Sequence, residues 1–170
     1  AGINRKIISQ ALSLLELSED DTVLDLFCGL GNFTLAAARR AKKVVGVEGS
    51  QEMVIRGSEN ASLNGLSNIE FHAADLFQPI SEKDWAAQQY SKIILDPPRS
   101  GAIEIIPEIA KLGAKIIVYV SCNPATLARD TAELISAGYQ LRATGVMDMF
   151  PHTTHVESMA VFDAGKRPRK

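Results

Sequence analysis

The sequence lacks several features that would assign a protein to a class at once. It contains no apolar run long enough to cross a bilayer and no pattern typical of a signal peptide. Its 18 basic and 20 acidic side chains give a net charge of −2, so no excess of positive charge draws it towards nucleic acid or anionic lipid. Only two cysteines occur, Cys28 and Cys122, and their wide separation excludes a cysteine cluster for a metal. We therefore expect a cytoplasmic protein with reduced thiols, no metal site and no membrane contact.

What the sequence does contain is a regular alternation of apolar strands and amphipathic helices. Its 170 residues, 46% of them hydrophobic, suffice for a single domain over 1–170 with a sizeable core. Strands that alternate with helices predict a parallel sheet covered by helices on both faces. After an N-terminal helix, we predict strands at 22–27, 43–48, 68–73, 92–96 and 115–121, and helices at 32–41, 51–64, 103–112 and 123–137, while 78–90 fits either a short helix or a loop.

The last part of the chain breaks this alternation. Residues 139–149 and 155–162 both favour strands, with no helix between them, so we expect an antiparallel pair joined through Phe150 and Pro151. The predicted fold is a doubly wound, Rossmann-like α/β sheet, mostly parallel, with an antiparallel C-terminal strand. We expect it to be a monomer.

One of the two cysteines lies at a junction between a strand and a helix, in VYVSCNPATLARD (118–130). Asn123 is a good N-cap and Pro124 suits the first position of a helix, so Cys122 should lie at the positive end of a helix dipole. That position lowers the pKa of a thiol and favours the nucleophilic thiolate. The alternative is a small apolar residue packed under a loop, and the local pattern leaves both open.

Glycines and acidic residues follow the first three predicted strands. Gly29 and Gly31 allow a tight turn and a close approach of the backbone to a ligand, although Thr34 stands where a dinucleotide fingerprint needs a third glycine. Glu48 ends the second strand at about the spacing of a residue that binds ribose hydroxyls. Asp75 follows the third strand and could accept a hydrogen bond from an adenine amino group. Together they favour an adenosine-containing ligand, although acidic residues after strands also serve as helix caps.

The fourth strand ends in DPPRSG (96–101). Two prolines stiffen this turn and fix Asp96 and Arg99 at the edge of the sheet. Enzymes that methylate exocyclic amines have an aromatic residue after a similar Pro-Pro pair, whereas an arginine here suits a phosphate or a base edge. A rigid loop with a surface arginine is the alternative interpretation.

The motifs DLFCGLGNF, LDPPRSG, VSCNPATLARD and DMFPHTTHVES, in this order, resemble the RNA uracil-5-methyltransferase family, and most of all its branch that acts on bacterial 23S ribosomal RNA. The resemblance spans essentially the whole chain and implies a class I methyltransferase fold that uses S-adenosylmethionine. It implies that Cys122 is the nucleophile and Glu157 the base. The cofactor positions that match are Phe27, Asn32, Glu48, Asp75 and Asp96, beside Gly29 of the glycine loop, with Arg99 on the substrate side.

Members of this family carry segments that this sequence does not show. An RNA-binding module, an iron–sulfur cluster in this branch and a glutamine-containing segment of the cofactor pocket lie upstream in the family. We therefore expect the chain to be a catalytic domain, with any iron–sulfur cluster confined to the upstream region. The first residues, Ala-Gly without a methionine, indicate an excised or processed piece.

Uracil chemistry explains why this family needs a cysteine and a base. Carbon 5 of uracil is a poor nucleophile until a thiolate adds to carbon 6, and a base must later remove the carbon 5 proton. Glu157 could serve as this base if partial burial raises its pKa towards neutrality. His152 and His155 do not fit a metalloprotease motif, and we expect them to support the loop before Glu157.

Three further side chains have a structural and a functional interpretation. Cys28 is expected to pack beside the glycine loop rather than act as a second nucleophile. Trp85 and Tyr90 could stack on RNA bases, but packing within the protein is the default for such residues.

Three functions are compatible with the sequence. The leading hypothesis is methylation of carbon 5 of a uridine in 23S ribosomal RNA, through a covalent adduct between the cysteine and carbon 6. The second is a nucleobase amine methyltransferase, which would leave Cys122 without a role. The third is a nucleotide-binding domain without catalytic activity in a larger assembly.

Overall fold

The structure, a computed structural model, describes residues 2–148 and 156–165. It begins with helix α1 and then alternates strands with helices, as predicted from the hydrophobic pattern. The five parallel strands lie within about a residue or two of the predicted ranges: β1 Thr22–Leu26, β2 Lys43–Glu48, β3 Ile69–Ala73, β4 Lys92–Leu95 and β5 Ile116–Ser121. The helices are α1 Gly2–Leu15, α2 Asn32–Ala38, α3 Gln51–Leu63, α4 Ile106–Ile109 and α5 Pro124–Ser136.

Local capping explains where two of these helices begin. The Ser50 side chain accepts a hydrogen bond from the Met53 backbone N–H at the start of α3. At the start of α5, the Asn123 side chain accepts from the backbone N–H of Ala125, and Pro124 occupies the first helical position. The predicted N-cap and first residue of α5 are therefore confirmed. In both helices the capping oxygen accepts from a first-turn backbone N–H that has no carbonyl partner within the helix.

The sheet has the strand order β3-β2-β1-β4-β5-β7-β6. The first five strands are parallel, so their carboxyl ends all meet at one edge. The chain reverses its winding direction between the neighbours β1 and β4, and this reversal opens a crevice between the loops that follow them. These two loops begin at Phe27 and Asp96, so the topology brings the glycine loop and the DPPRSG loop to one place.

The last two strands, β6 Tyr139–Asp148 and β7 Val156–Ala164, form the predicted antiparallel pair. Strand β7 lies between β5 and β6 and pairs antiparallel with both. The predicted connection through Phe150 and Pro151 lies outside the described residues. The pairing of β7 with β5 matters for the site, because it sets the neighbours of the carboxyl end of β5.

The fourth predicted helix is much shorter than expected. Instead of 103–112, the α-helix covers only Ile106–Ile109 and continues as a 3₁₀ turn over Ala110–Leu112. Pro107 lies in its first turn, where a proline ring would clash with any preceding helical turn, so the helix cannot extend towards residue 103. Part of the ambiguous 78–90 stretch forms a 3₁₀ turn at Asp84–Ala87.

Apolar side chains fill both faces of the sheet. One layer packs the strands against α4 and α5 and includes Tyr119 and Phe162, and the other packs them against α1 and α2. Strands β4 and β5 are buried along their full length, as expected for central parallel strands. Among the helices of the described ranges, none combines the length and the apolar content that crossing a membrane requires.

Candidate active site

The loop after β1 has an unusual backbone. Gly29 and Gly31 adopt positive φ angles of 55° and 87°, as the predicted tight turn requires. Phe27 also has a positive φ, of 60°, which a residue with a bulky side chain rarely adopts. Strain of this kind persists only where the surroundings enforce it, and such positions concentrate at functional sites.

The two glycines of this loop have different surroundings. A Cβ atom at Gly31 would lie 2.9 Å from Cζ of Phe71. The same ring would also crowd a Cβ atom at Gly46 or Gly57. A Cβ at Gly29 would meet no atom within 4 Å. Gly31 therefore makes room for an aromatic ring of β3 rather than for a ligand alone, a role that the sequence did not reveal.

A cleft of about 510 Å³ opens at the carboxyl edge of the sheet, beside this loop. It is lined by Phe27, Glu48, Gly49, Asp75, Leu76, Phe77, Asp96, Pro97 and Pro98. Four of the predicted cofactor positions, Phe27, Glu48, Asp75 and Asp96, thus line one cavity. Gly29, in the adjoining loop, and Asn32, the first residue of α2, are not among its lining residues.

Phe77 was not predicted from the sequence. Its ring packs against that of Phe27, with centroids 5.7 Å apart and planes inclined at 55°. Both rings line the cleft, so together they give it an apolar surface in addition to its carboxylates. The only sequence signal was an aromatic residue two positions after Asp75, which is common in loops.

Glu48 and Asp75, the residues predicted to bind ribose and adenine, each use only one carboxylate oxygen in a hydrogen bond within the described residues. Oε2 of Glu48 accepts from the Ser50 backbone N–H at 2.7 Å, and Oδ1 of Asp75 accepts from the Phe77 backbone N–H at 3.0 Å. These bonds to the local backbone fix the orientation of the two side chains. The second oxygen of each remains available to a ligand in the cleft.

Asp25, in β1, is a buried carboxyl that the sequence analysis did not select. Its Oδ2 accepts from the Thr34 hydroxyl at 2.6 Å, and its Oδ1 has no hydrogen-bond partner among the described groups. Burial raises the pKa of Asp25 to about 7, the Thr34 hydrogen bond opposes this rise, and the charge of Asp96 adds to it. Burial also raises the pKa of Asp96 to about 7, with a further contribution from the charge of Glu157.

Cys122 and Glu157 lie at the same end of neighbouring strands. Ser121 at the end of β5 pairs with Ser158 of β7, and one further step of this antiparallel register, in the same direction on both strands, reaches Cys122 and Glu157. Cys122 is half-buried and immediately precedes the N-cap of α5. Burial raises the pKa of the Glu157 carboxyl, and its Oε2 has no partner within the described ranges. The backbone thus brings the two residues to the same edge of the sheet, while contact between their side chains and their roles stay predictions.

Arg99 and the other side chains selected from the sequence fall into separate environments. Arg99 is exposed on the loop that follows Asp96. Cys28 is buried, and burial raises the pKa of its thiol, as expected for a packing residue. Trp85 and Tyr90 are also buried, and the Tyr90 hydroxyl donates to the Trp85 carbonyl, so the default of packing is confirmed. The two histidines at 152 and 155 lie outside the described residues.

Comparison with known proteins gives a consistent set of relatives. Residues 1–164 match the model of a family described as tRNA (uracil-5-)-methyltransferase. The chain is 64% identical over 98% of its length to the 23S rRNA (uracil(1939)-C(5))-methyltransferase RlmD of Alcanivorax borkumensis, and 59% identical over 95% of its length to that of Hahella chejuensis. It covers only 38% and 37% of these two relatives.

Solved structures show the same fold. The tRNA (uracil-54, C5)-methyltransferase of Pyrococcus abyssi, in complex with S-adenosyl-L-homocysteine, superposes with a TM-score of 0.79 at 29% identity, over 94% of this chain and 38% of that one. The N-methyltransferase NodS of Bradyrhizobium japonicum superposes with a TM-score of 0.78 at 17% identity, over 97% of this chain and 98% of that one, which shows the fold alone. The sheet is therefore that of the class I methyltransferases.

Proposed function

Since this chain belongs to the tRNA (uracil-5-)-methyltransferase family, we propose that it is the catalytic domain of an enzyme that methylates carbon 5 of a uridine in 23S ribosomal RNA. One observation of the structure carries the proposal. Cys122 and Glu157 lie directly beyond the last residue pair of β5 and β7, at the edge of the sheet where Asp96 lines a cleft. A thiol and a carboxylate at the edge of the sheet that carries the cleft are the groups that methylation of uracil carbon 5 requires.

The residues of the cleft fit S-adenosylmethionine. This cofactor carries a sulfonium and an ammonium group, and three carboxylates, Glu48, Asp75 and Asp96, line the cleft. Asp25, two residues before Phe27, also has a buried carboxyl oxygen with no partner among the described residues, but it is not one of the residues that line the cleft. We assign the ribose hydroxyls to Glu48 and the adenine amino group to Asp75, with Gly29 of the glycine loop and Asn32 at the start of α2 completing the cofactor site. When bound, the cofactor supplies the methyl group as an electrophilic carbon.

Cys122 activates the uracil ring. Its thiolate adds to carbon 6, a carbon–sulfur bond forms, and the electrons of the double bond between carbons 5 and 6 move towards the carbonyl oxygen at carbon 4. The resulting enolate makes carbon 5 nucleophilic enough to accept the methyl group.

Glu157 completes the cycle as the general base. Carbon 5 still carries its proton after it has accepted the methyl group. The Glu157 carboxylate takes this proton, the double bond re-forms, the bond between carbon 6 and sulfur breaks, and the Cys122 thiolate returns. Burial raises the pKa of Glu157, and a carboxylate with a raised pKa is a stronger base for this transfer.

Ribosomal RNA is the substrate that the relatives favour. Relatives at 54–64% identity are named for uracil 1939 of 23S ribosomal RNA, whereas the Pyrococcus neighbour, named for uracil 54 of tRNA, is 29% identical. We therefore propose that the full protein methylates 23S ribosomal RNA at the corresponding uridine. Arg99, exposed beside Asp96, is proposed to bind the RNA. Location in the cytoplasm, the monomeric state and an upstream iron–sulfur cluster stay predictions.

The test uses two variants of the full-length protein with 23S ribosomal RNA. Cys122→Ala should form no adduct with RNA containing 5-fluorouracil and should transfer no methyl group. Glu157→Gln should allow addition and methylation but stall elimination, so a methylated protein–RNA adduct should appear as a shifted band on a denaturing gel. Cys28→Ala, which removes the other thiol, is the matched control and should behave as the wild type.

Each outcome separates the proposal from its alternatives. Methylation of carbon 5 by Cys122→Ala would show that the nucleophile lies elsewhere, and methylation of an exocyclic amine would favour a nucleobase amine methyltransferase. Normal turnover of Glu157→Gln would move the role of the base to Asp96. Binding of S-adenosylmethionine without methyl transfer by the full-length protein would favour a domain that is not catalytic.

A further inference from the structure

One face of α5 holds the backbone of the loop between β4 and α4. The carbonyl oxygen of Arg99 accepts two hydrogen bonds from this helix, one from the Asn123 side-chain amide at 3.0 Å and one from the Thr126 hydroxyl at 3.1 Å. Asn123 also caps α5 with its side-chain oxygen. The residue that starts the helix behind Cys122 therefore also binds the loop that carries Arg99.

The next turn of α5 continues these contacts. The Arg129 guanidinium donates to the Ser100 carbonyl oxygen at 2.8 Å, and Oδ2 of Asp130 accepts from the Ala102 backbone N–H at 2.8 Å. Asp130 is completely buried, and it also accepts from the Tyr119 hydroxyl at 2.6 Å. Its second oxygen accepts from Arg129 at 3.0 Å, so every oxygen of this buried carboxylate has a donor. We refer to these contacts of residues 123, 126, 129 and 130 with the loop as the α5 clasp.

Gly101 shows how closely the clasp fits the loop. A Cβ atom at this position would lie 2.6 Å from Nη2 of Arg129 and 2.6 Å from Oδ2 of Asp130. Gly101 also has a positive φ of 78°, which disfavours any other residue. Only glycine lets the loop backbone approach the arginine and the aspartate at hydrogen-bonding distance.

The clasp fixes the backbone of Arg99 but not its side chain. The Arg99 guanidinium has no hydrogen-bond or ion-pair partner within residues 2–148 and 156–165, and the residue is exposed. The ion pair between Arg129 and Asp130 is 42% exposed on the arginine side and completely buried on the aspartate side, so it links the core to the arrangement of the loop at the surface. That arrangement joins the Arg99 loop to the helix that begins directly after Cys122.

We propose that Arg129 and Asp130 are positioning residues for the reaction. They hold the loop that contains Arg99 at a fixed place relative to Cys122, so that the arginine binds the substrate RNA when the uracil reaches the thiol. The inference rests on the function proposed above. Neither residue touches the substrate in this scheme, and both act through Arg99.

The test is a double-mutant cycle in the full-length protein with 23S ribosomal RNA. In the wild type, Arg99→Ala should raise the apparent KM for RNA and slow formation of the cysteine adduct by about tenfold, the scale of one charge-assisted contact. Asp130→Asn, which keeps the size of the side chain but removes its charge, should cause a similar loss. In the Asp130→Asn background, Arg99→Ala should then slow adduct formation by less than a further twofold, because the loop that carries Arg99 is already displaced. Arg142→Gln, which breaks the ion pair with Asp163 at the far side of the sheet, is the matched control and should match the wild type.

A role in stability alone would not couple two residues whose side chains do not meet. Losses that multiply in the double variant, or an Asp130→Asn enzyme as active as the wild type, would overturn the inference. If Asp130→Asn fails to fold, the milder Thr126→Val variant, which removes one hydrogen bond of the clasp, replaces it in the same cycle. An inactive wild type would instead refute the proposed function, and with it the inference.

Discussion

Replacing Asp25 by asparagine should make the protein more stable at neutral pH. Asp25 is completely buried in β1, and only one of its two carboxyl oxygens has a hydrogen-bond partner in the described part of the chain. Burial raises the pKa of Asp25 to about 7, so the folded protein holds this carboxyl neutral in mild acid and must bury a charge at higher pH. Asparagine has a similar shape, carries no charge and can still accept the Thr34 hydrogen bond.

The sign and size of the effect follow from proton linkage. A carboxyl whose pKa is raised on folding contributes stability that is complete below its unfolded-state pKa and is lost as the pH rises through its folded-state pKa. For Asp25 this window extends from about pH 4 to about pH 7. Each pH unit within the window lowers the free energy of unfolding by about 1.4 kcal/mol, so the loss between about pH 5 and about pH 7 is about 3 kcal/mol. A small domain has a total stability of only about 5–15 kcal/mol, so the change is large enough to measure.

Urea unfolding, followed by circular dichroism at several pH values across this window, measures the effect. The free energy of unfolding of Asp25→Asn should match that of the wild type near about pH 4, and its excess over the wild type should grow by about 3 kcal/mol between about pH 5 and about pH 7. Asp20→Asn, an exposed aspartate in the turn before β1, controls for the loss of one negative charge and should follow the wild type. If the free energy of unfolding changed with pH equally for Asp25→Asn and the wild type, the reasoning would be refuted. The buried carboxyl would then bind no extra proton in the folded state.

Four further predictions concern the cleft, its glycines, the thiols and RNA. Glu48→Ala should weaken S-adenosylmethionine binding by about 1–3 kcal/mol, because it leaves polar groups unpaired, and an unchanged affinity in calorimetry would remove Glu48 from the site. Gly31→Ala should lower the free energy of unfolding more than Gly29→Ala, since both positions have positive φ angles but only a Cβ at 31 would lie 2.9 Å from an aromatic ring, and similar urea midpoints would contradict this. Iodoacetamide should modify Cys122 before Cys28, because Cys28 is buried and its thiol has a raised pKa, which mass spectrometry of the peptides can check. Affinity for ribosomal RNA should be weak for this chain, whose net charge is −2, and strongly salt-dependent for the full-length protein, so equal affinities at physiological salt would count against the expectation.

Much of the fold was predictable because its signals are local. Runs of buried strand residues, a proline at the first position of α5 and an asparagine that caps it specify where elements begin, and neighbouring residues alone satisfy these preferences. The prediction for 103–112 was wrong in extent, since the apolar spacing there favours a helix but Pro107 prevents the helix from extending backwards. The carboxylates at 48, 75 and 96 could be grouped in advance, because parallel strands bring their carboxyl ends to one edge of the sheet.

Other features depend on contacts between segments that are far apart in the chain. The sequence by itself determined that a cysteine ends one strand, that a glutamate lies in a later strand and that the last two strands pair. Only the tertiary structure decided that β7 enters between β5 and β6, which brings Glu157 beside Cys122. The same holds for the raised pKa of Asp25, the ring of Phe71 against three glycines and the α5 clasp. The physical reason is that desolvation, close packing and strand pairing are set by which distant groups come together, and no local preference encodes the identity of those groups.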